Sequence, residues 1–163
     1  MPGCRLSTTD VVRDIVNLLD RAAEHTPITA QQAVVVRIDR LPSTPDDEVQ
    51  FSLKRLPPGV HPLAFLDGFV APPTWAGIGV IAHGRARHLD DPEQVVGRAR
   101  VVSVLTRDGT LGSSLHIEGA EPHVTVEQVG TGVVGEIPLA LCRSLGIPCT
   151  SPPGDGAPEG EPS

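Results

Sequence analysis

The chain has 163 residues, 39% hydrophobic and 20% charged, with 20 acidic against 13 basic side chains and a formal net charge of −7. That length suits one domain, whose core can stand without disulfides or structural metal. The charge repels phosphate backbones, and three Phe, one Trp and no Tyr leave no stacking platform for single strands, so nucleic acid is excluded as a partner.

Ser7, Thr8 and Thr9 offer helix caps, and Ser7 to Asp10 approximates a capping box with Asp in place of Glu. Apolar residues then recur at Val11, Val12, Ile15, Leu18, Leu19, Ala22 and Ala23, a helical stripe that leaves Arg13, Asp14, Asn17, Asp20 and Arg21 to water. Pro27 ends that helix. Ala33 to Arg40, with Val34, Val35, Val36 and Ile38, reads as a strand. Leu41 to Glu48 is a loop, and Val49 to Leu53 alternates as a second strand. Pro57-Pro58-Gly59 breaks the chain before a short helix over Leu63 to Phe69, begun by Pro62 and closed near Gly68.

After Pro72-Pro73 a third strand runs from about Trp75 toward His88, and Arg98 to Thr106 forms the next. Arg107-Asp108-Gly109-Thr110 is a hairpin turn of the Asp-Gly type, with Leu111 to Glu118 as the returning strand. Val124 and Val126 mark another strand, and Ile137 to Leu145 a last helix, stopped by Gly146 at C′ and Pro148. The expected organisation is a flexible N-terminus over residues 1–6, a single α+β domain over 7–149 and a disordered Pro/Gly/acidic tail over 150–163. Short turns between consecutive strands exclude parallel pairing, so the fold class is α+β: a mainly antiparallel sheet of about five or six strands. An N-terminal, a short central and a C-terminal helix pack on it, and all are expected on one face.

The region from Trp75 to Leu105 carries the candidate chemistry. His83, Arg85 and Arg87 alternate with small residues on one strand, and Arg98 and Arg100 do so on the next. Paired as a hairpin, they would form a patch of four Arg and one His suited to carboxylates or phosphates, or else a solvated sheet face. Trp75, His83, Arg85, Arg87, Arg98 and Arg100 are therefore the candidate residues for binding a ligand or partner. Gly77, Gly79 and Gly84 precede a continuing strand rather than a helix, which argues against a dinucleotide fingerprint. They read instead as room for a bulge or for an overlying helix.

No metal or cofactor is expected. His83 and His88, five positions apart on a strand, point to opposite faces, and no further ligand converges on them. Ser114 and His116 share a strand face and make a candidate dyad, although nothing resembles a nucleophile elbow. Cys142 lies in the apolar periodicity of the last helix and reads as a small hydrophobe. Three cysteines without metal-ligand spacing fit a reducing compartment. With no secretory signal and no apolar run of about 18 residues, the reading is cytoplasmic with no membrane association.

Pro72-Pro73, Trp75-Ala-Gly-Ile-Gly-Val80, the Arg107-Asp108-Gly109 turn, and Leu141-Cys-Arg-Ser-Leu-Gly-Ile-Pro148 followed by Pro152-Pro153 together resemble a group of uncharacterised actinobacterial proteins. The resemblance implies a bacterial setting and no activity, cofactor or site residue. Function rests on the residues alone. The leading expectation is a non-enzymatic binding or regulatory module that presents the Arg-bearing face to a protein partner or a second copy. One alternative is a sensor of a small anionic ligand, with a helix–sheet pocket and Trp75 or the arginines at its mouth. Another is a small hydrolase or transferase using Ser114 and His116.

Overall fold

The computed structural model describes residues 7–24, 33–44, 46–87, 90, 91, 93, 95–131 and 135–148, and of 85–87, 95, 96 and 131 the backbone alone. The expected flexible residues 1–6 and the tail 150–163 lie outside the described residues. Helix α1 spans Thr8–Glu24. Its start follows from the cap: Ser7 Oγ accepts the Asp10 N–H at 3.1 Å, satisfying a donor that the first turn leaves free. Its apolar stripe buries Val12, Val16 and Leu19 completely, whereas Leu18 stays 40% exposed.

Six strands follow among the described residues: β1 (Val34–Arg40), β2 (Gln50–Arg55), β3 (Gly77–Arg87), β4 (Val95–Thr106), β5 (Thr110–Ile117) and β6 (His123–Gln128). They form one antiparallel sheet in the order β2-β1-β3-β4-β5-β6. Helix α2 (Pro62–Leu66) lies between β2 and β3, and α3 (Glu136–Leu145) follows β6. The α+β architecture expected from the sequence is the one observed. The Asp-Gly turn closes with Gly109 at φ 87° and its N–H bonded to Thr106 O at 3.0 Å. Gly146 ends α3 in the left-handed region at φ 72° and returns its N–H to Arg143 O and Cys142 O.

The helices divide between the two faces rather than sharing one. Helix α1 covers Val36, Ile38, Ile81, Val102 and Val104. Leu66 of α2 with Leu141 and Leu145 of α3 packs against Val35, Ile78, Val80, Leu105 and Leu111, which alternate with the first set along the same strands. A three-layer body results, with both sheet faces buried near its centre. Gly112 brings α1 down onto the sheet: a Cβ there would stand 2.4 Å from Val12 Cγ1 and 2.9 Å from Val16 Cγ2. Gly77 and Gly79 of β3 serve a different contact, whereas a Cβ on Gly84 would meet nothing within 4 Å. A Cβ on Gly77 would lie 2.7 Å from Leu105 O, and one on Gly79 would lie 2.9 Å from Ser103 O. It is therefore β4, and neither a bulge nor a helix, that they admit.

Arg107, in the β4–β5 turn, fastens the α3 side. Its guanidinium donates to Trp75 O and Leu145 O at 2.9 Å, to Pro72 O at 2.8 Å and to Ala71 O at 3.5 Å. Asp108 fastens the α1 side. Burial raises its pKa, but hydrogen bonds from Thr106, Thr110 and Thr8 outweigh that and hold it below the usual carboxylate range. Cys142 is buried in α3 and engaged in a disulfide, which removes the cysteine count as an argument for a reducing compartment. Cys4 and Cys149 lie outside the described residues. No described helix is long and apolar enough to cross a membrane.

Candidate functional site

The expected hairpin pairs as the alternation requires, with His83 opposite Arg100 and Arg85 opposite Arg98. A register shift between Ala86 and Arg87 places Arg87 opposite Val95. On the next strand His116 stands opposite Arg100, so His83, Arg100 and His116 form a row across three strands on the α1 face. This row is not an open cationic surface. Arg100 is only 5% exposed, and of the arginines with described side chains in the patch only Arg98 is exposed. The side chains of Arg85 and Arg87 lie outside the described residues.

Arg100 is buried because α1 supplies its counter-ion. Asp20, expected at the helix surface, is 2% exposed, and its Oδ1 accepts Arg100 Nε at 2.9 Å. Its Oδ2 lies 3.0 Å from His116 Nδ1, while Arg100 Nη2 lies 3.2 Å from that same nitrogen. Protonated, Nδ1 donates to Asp20; bare, it accepts from Arg100, so each state satisfies one contact. Glu24 completes the network from its half-exposed side, with Oε1 at 3.9 Å from Arg100 Nη2 and 3.8 Å from His116 Nδ1.

Asp20, Glu24 and His116 offer ligand atoms within 4.8 Å of one another, the spacing of a metal site. The guanidinium already occupies the cation's place between them, and a metal ion would meet that fixed positive charge. The arrangement is an ion network that locks α1 onto β4 and β5. His83, on the other side of Arg100, has both ring nitrogens buried and no hydrogen-bond partner among the described residues. Burial, then the charge of Arg100, lowers its pKa below the ordinary 6.5, so the ring is held neutral.

The dyad does not assemble. Ser114 is 1% exposed, its Oγ has no hydrogen-bond partner among the described residues, and its cross-strand neighbours are Val102 and Val124. His116 Nδ1 is engaged by Asp20 and Arg100. Trp75 is not brought to the arginines either. It lies on the α2/α3 side with its ring 5.5 Å from that of Phe69. Eight residues of extended chain separate it from His83, roughly 26 Å.

The concave surface is on the other face. A cleft of about 420 Å³ opens between β4, β5 and β6 and the first turns of α2 and α3. Register explains its floor. Val101, Leu115 and His123 align across the three strands as one row, and Ser103, Ser113 and Thr125 as the next. The second row sets three hydroxyls side by side next to the apolar Val101 and Leu115, with Ser103 Oγ and Ser113 Oγ 3.5 Å apart. Leu63, Ile137 and Pro138 form apolar walls, and Glu136 contributes a carboxylate. Leu115, in the first row, remains 42% exposed.

His61 stands at the rim in a fixed tautomer. Its Nδ1 accepts the Leu63 N–H at 3.1 Å as the cap of α2, so in the neutral ring Nε2 carries the proton and donates. The same residue borders a second hollow of about 180 Å³ that reaches Ala82 and His83. Neither Arg nor Lys lines the main cleft among the described residues. None of the six residues singled out from the sequence lies in it. Its signal was one hydroxyl on each of β4, β5 and β6, at Ser103, Ser113 and Thr125, and only the register aligns them. No family model, curated protein or solved structure matches the chain.

Proposed function

We propose that this chain is a non-enzymatic binding module for a small, uncharged ligand with an apolar body and a hydroxyl or carbonyl edge, held in the cleft beneath α2 and α3. The observation that carries the reading is the paired floor: an apolar row from Val101 and Leu115 beside a hydroxyl row from Ser103, Ser113 and Thr125. Ligand sites are mostly apolar concavities of about 300–1,000 Å³ with a few placed polar groups, and this cleft falls in that range. The hydroxyls donate or accept, and His61 Nε2 donates. The first-turn N–H groups of Glu136 and Ile137, which have no intrahelical acceptor, add donors. The expected anionic ligand depended on arginines that this cleft lacks, and Glu136 disfavours a second negative charge.

Two facts weigh against the other readings. Arg100 is committed to Asp20, which removes the centre of the Arg-bearing face as a docking surface. His116 faces α1, and Ser114 borders the cleft but is buried and pairs with Val102 and Val124, which weighs against the two as a nucleophile for a bound molecule. The test is a binding screen by thermal shift with uncharged hydroxylated ring compounds, run on the wild type and on Ser113→Ala with Thr125→Val. A compound that stabilises the wild type should lose about tenfold in affinity for the double variant, since each lost hydrogen bond removes about 0.5–1.5 kcal/mol. Equal affinity for both proteins would contradict the assignment.

A further inference from the structure

The apolar floor of the cleft does not end at β4. Ala82 of β3 pairs with Val101, Val101 with Leu115 and Leu115 with His123, so the row continues onto a fourth strand. Ala82 packs on the α2/α3 side, as Val80 does. It lines the second hollow, of about 180 Å³, together with Ala33, Gly59, Val60 and Pro62. Val34 pairs with Ile81, so Ala33, one residue earlier, stands beside Ala82 and carries the row toward β1. His61 lines both concavities and marks their junction. His83, next along β3, turns its ring to the α1 face beside Arg100. Among the described residues, His61 is thus the hollow's one side-chain donor.

Polarity is divided along this row. Ser103, Ser113, Thr125, His123 and Glu136 all stand at the β4–β6 end. Opposite Ser103 on β3 is Val80, whose partner on β1 is Val35, so the hydroxyl row stops at β4. No Lys, Arg or carboxylate lines the hollow among the described residues. Leu115 is exposed, and Val101 and Ala82 are half-buried, whereas Val80 and Leu105 on the same face are covered almost completely. The uncovered apolar surface is therefore a line with a polar end. A compact ring fills the cleft alone; only a chain reaches the hollow. We infer that cleft and hollow form one trough for a linear, uncharged aliphatic amphiphile. Its hydroxyl or carbonyl head lies at Ser113 and Thr125, and its chain crosses Val101 and Ala82 toward Ala33. This rests on the cleft reading and specifies the shape of the ligand. From β5 to β1 is three strand spacings, about 14 Å. An extended chain with C–C bonds of about 1.5 Å advances about 1.25 Å per carbon, so the trough takes about eleven carbons.

The probes are alkylglycerol ethers from butyl to tetradecyl, titrated into the full chain by calorimetry below their micelle concentrations. Affinity for the wild type should rise about fourfold per methylene to about eleven carbons and then level, since each buried methylene adds a similar increment. Ala82→Leu fills the hollow's floor, so its affinities should level near hexyl. Butyl- and hexylglycerol should bind it as they bind the wild type, which also shows that the variant is folded. Ser113→Ala with Thr125→Val should weaken every member of the series about tenfold. In wild-type NMR spectra decylglycerol should move the methyl resonances of Val60 and Ala82, and hexylglycerol, which ends short of β3, should leave them in place. Affinity that is flat with chain length, or that rises equally in Ala82→Leu, would overturn the trough and leave the cleft reading standing. Length-dependent affinity untouched by the Ser113 and Thr125 substitutions would overturn the cleft reading, and the placement of the head with it.

Discussion

Removing Asp20 while keeping Arg100 should be among the most damaging single changes in this protein. Asp20 and Arg100 are 2% and 5% exposed, with Nε and Oδ1 at 2.9 Å. At an effective dielectric constant of 20, unit charges about 4 Å apart attract by about 4 kcal/mol, and stripping one partner from a buried pair costs about 3–5 kcal/mol. Asp20→Leu leaves the guanidinium with Glu24 at 3.9 Å, a half-exposed and therefore screened partner. Its expected cost is thus near the lower end, about 3 kcal/mol. Arg100→Met leaves the carboxylate with His116 at 3.0 Å, which offers a proton, and should cost about 2 kcal/mol, somewhat below the range for an unpaired buried charge. The double variant removes both charges and should fall within about 1 kcal/mol of wild type, as apolar replacements of buried pairs commonly do. Urea unfolding followed by circular dichroism measures all four corners of the cycle. Additive single costs below about 1 kcal/mol would refute the account of how α1 is held.

Gly112→Ala should destabilise by about 1–3 kcal/mol, because the new methyl meets Val12 and Val16 at sub-contact distance. Val12→Ala should recover part of that loss in chemical denaturation, although alone it destabilises. Arg107→Lys should cost about 1.5–3 kcal/mol despite keeping the charge, since an ammonium cannot reach the carbonyls of Trp75, Pro72 and Leu145 together; thermal unfolding reads the difference. The pH dependence follows from His83. The folded chain holds it neutral below its ordinary 6.5, so as pH falls the unfolded chain takes up the proton first. Its contribution is complete above about 6.5 and is lost as pH falls below that value. His83→Gln should flatten the fall in denaturation midpoint below pH 6.5, and an unchanged slope would exclude His83 as the titrating group.

Local chemistry made the elements legible. The cap at Ser7, the turn at Asp108-Gly109 and the stop at Gly146 depend on neighbouring residues, and each is found in its expected role. That His83 and Arg100 could share a face was also readable, because alternation sets the faces once a hairpin is assumed; their direct pairing comes from the register. What covers a sheet face is a non-local matter. Amphipathic stripes say that three helices pack on something, but not that α1 takes one face and α2 and α3 the other. Asp20 was misplaced for this reason. It lies four residues beyond Val16 and beside Leu19, within the buried arc, and only a partner such as Arg100 across the interface makes a carboxylate tolerable there. The arginines drew attention because charge stands out in a sequence. The cleft did not, because Ser103, Ser113 and Thr125 are unremarkable until three strands align them.

The central claim is that the hydroxyl-and-apolar floor beneath α2 and α3 receives a small uncharged ligand. Methyl-resolved NMR titration with a stabilising compound from the thermal-shift screen tests it most directly. Binding should move the methyl resonances of Leu63, Val101, Leu115 and Ile137, which line the cleft, and leave Val16 and Val102 under α1 unmoved. Shifts confined to the α1 face, or spread evenly over both faces, would contradict it.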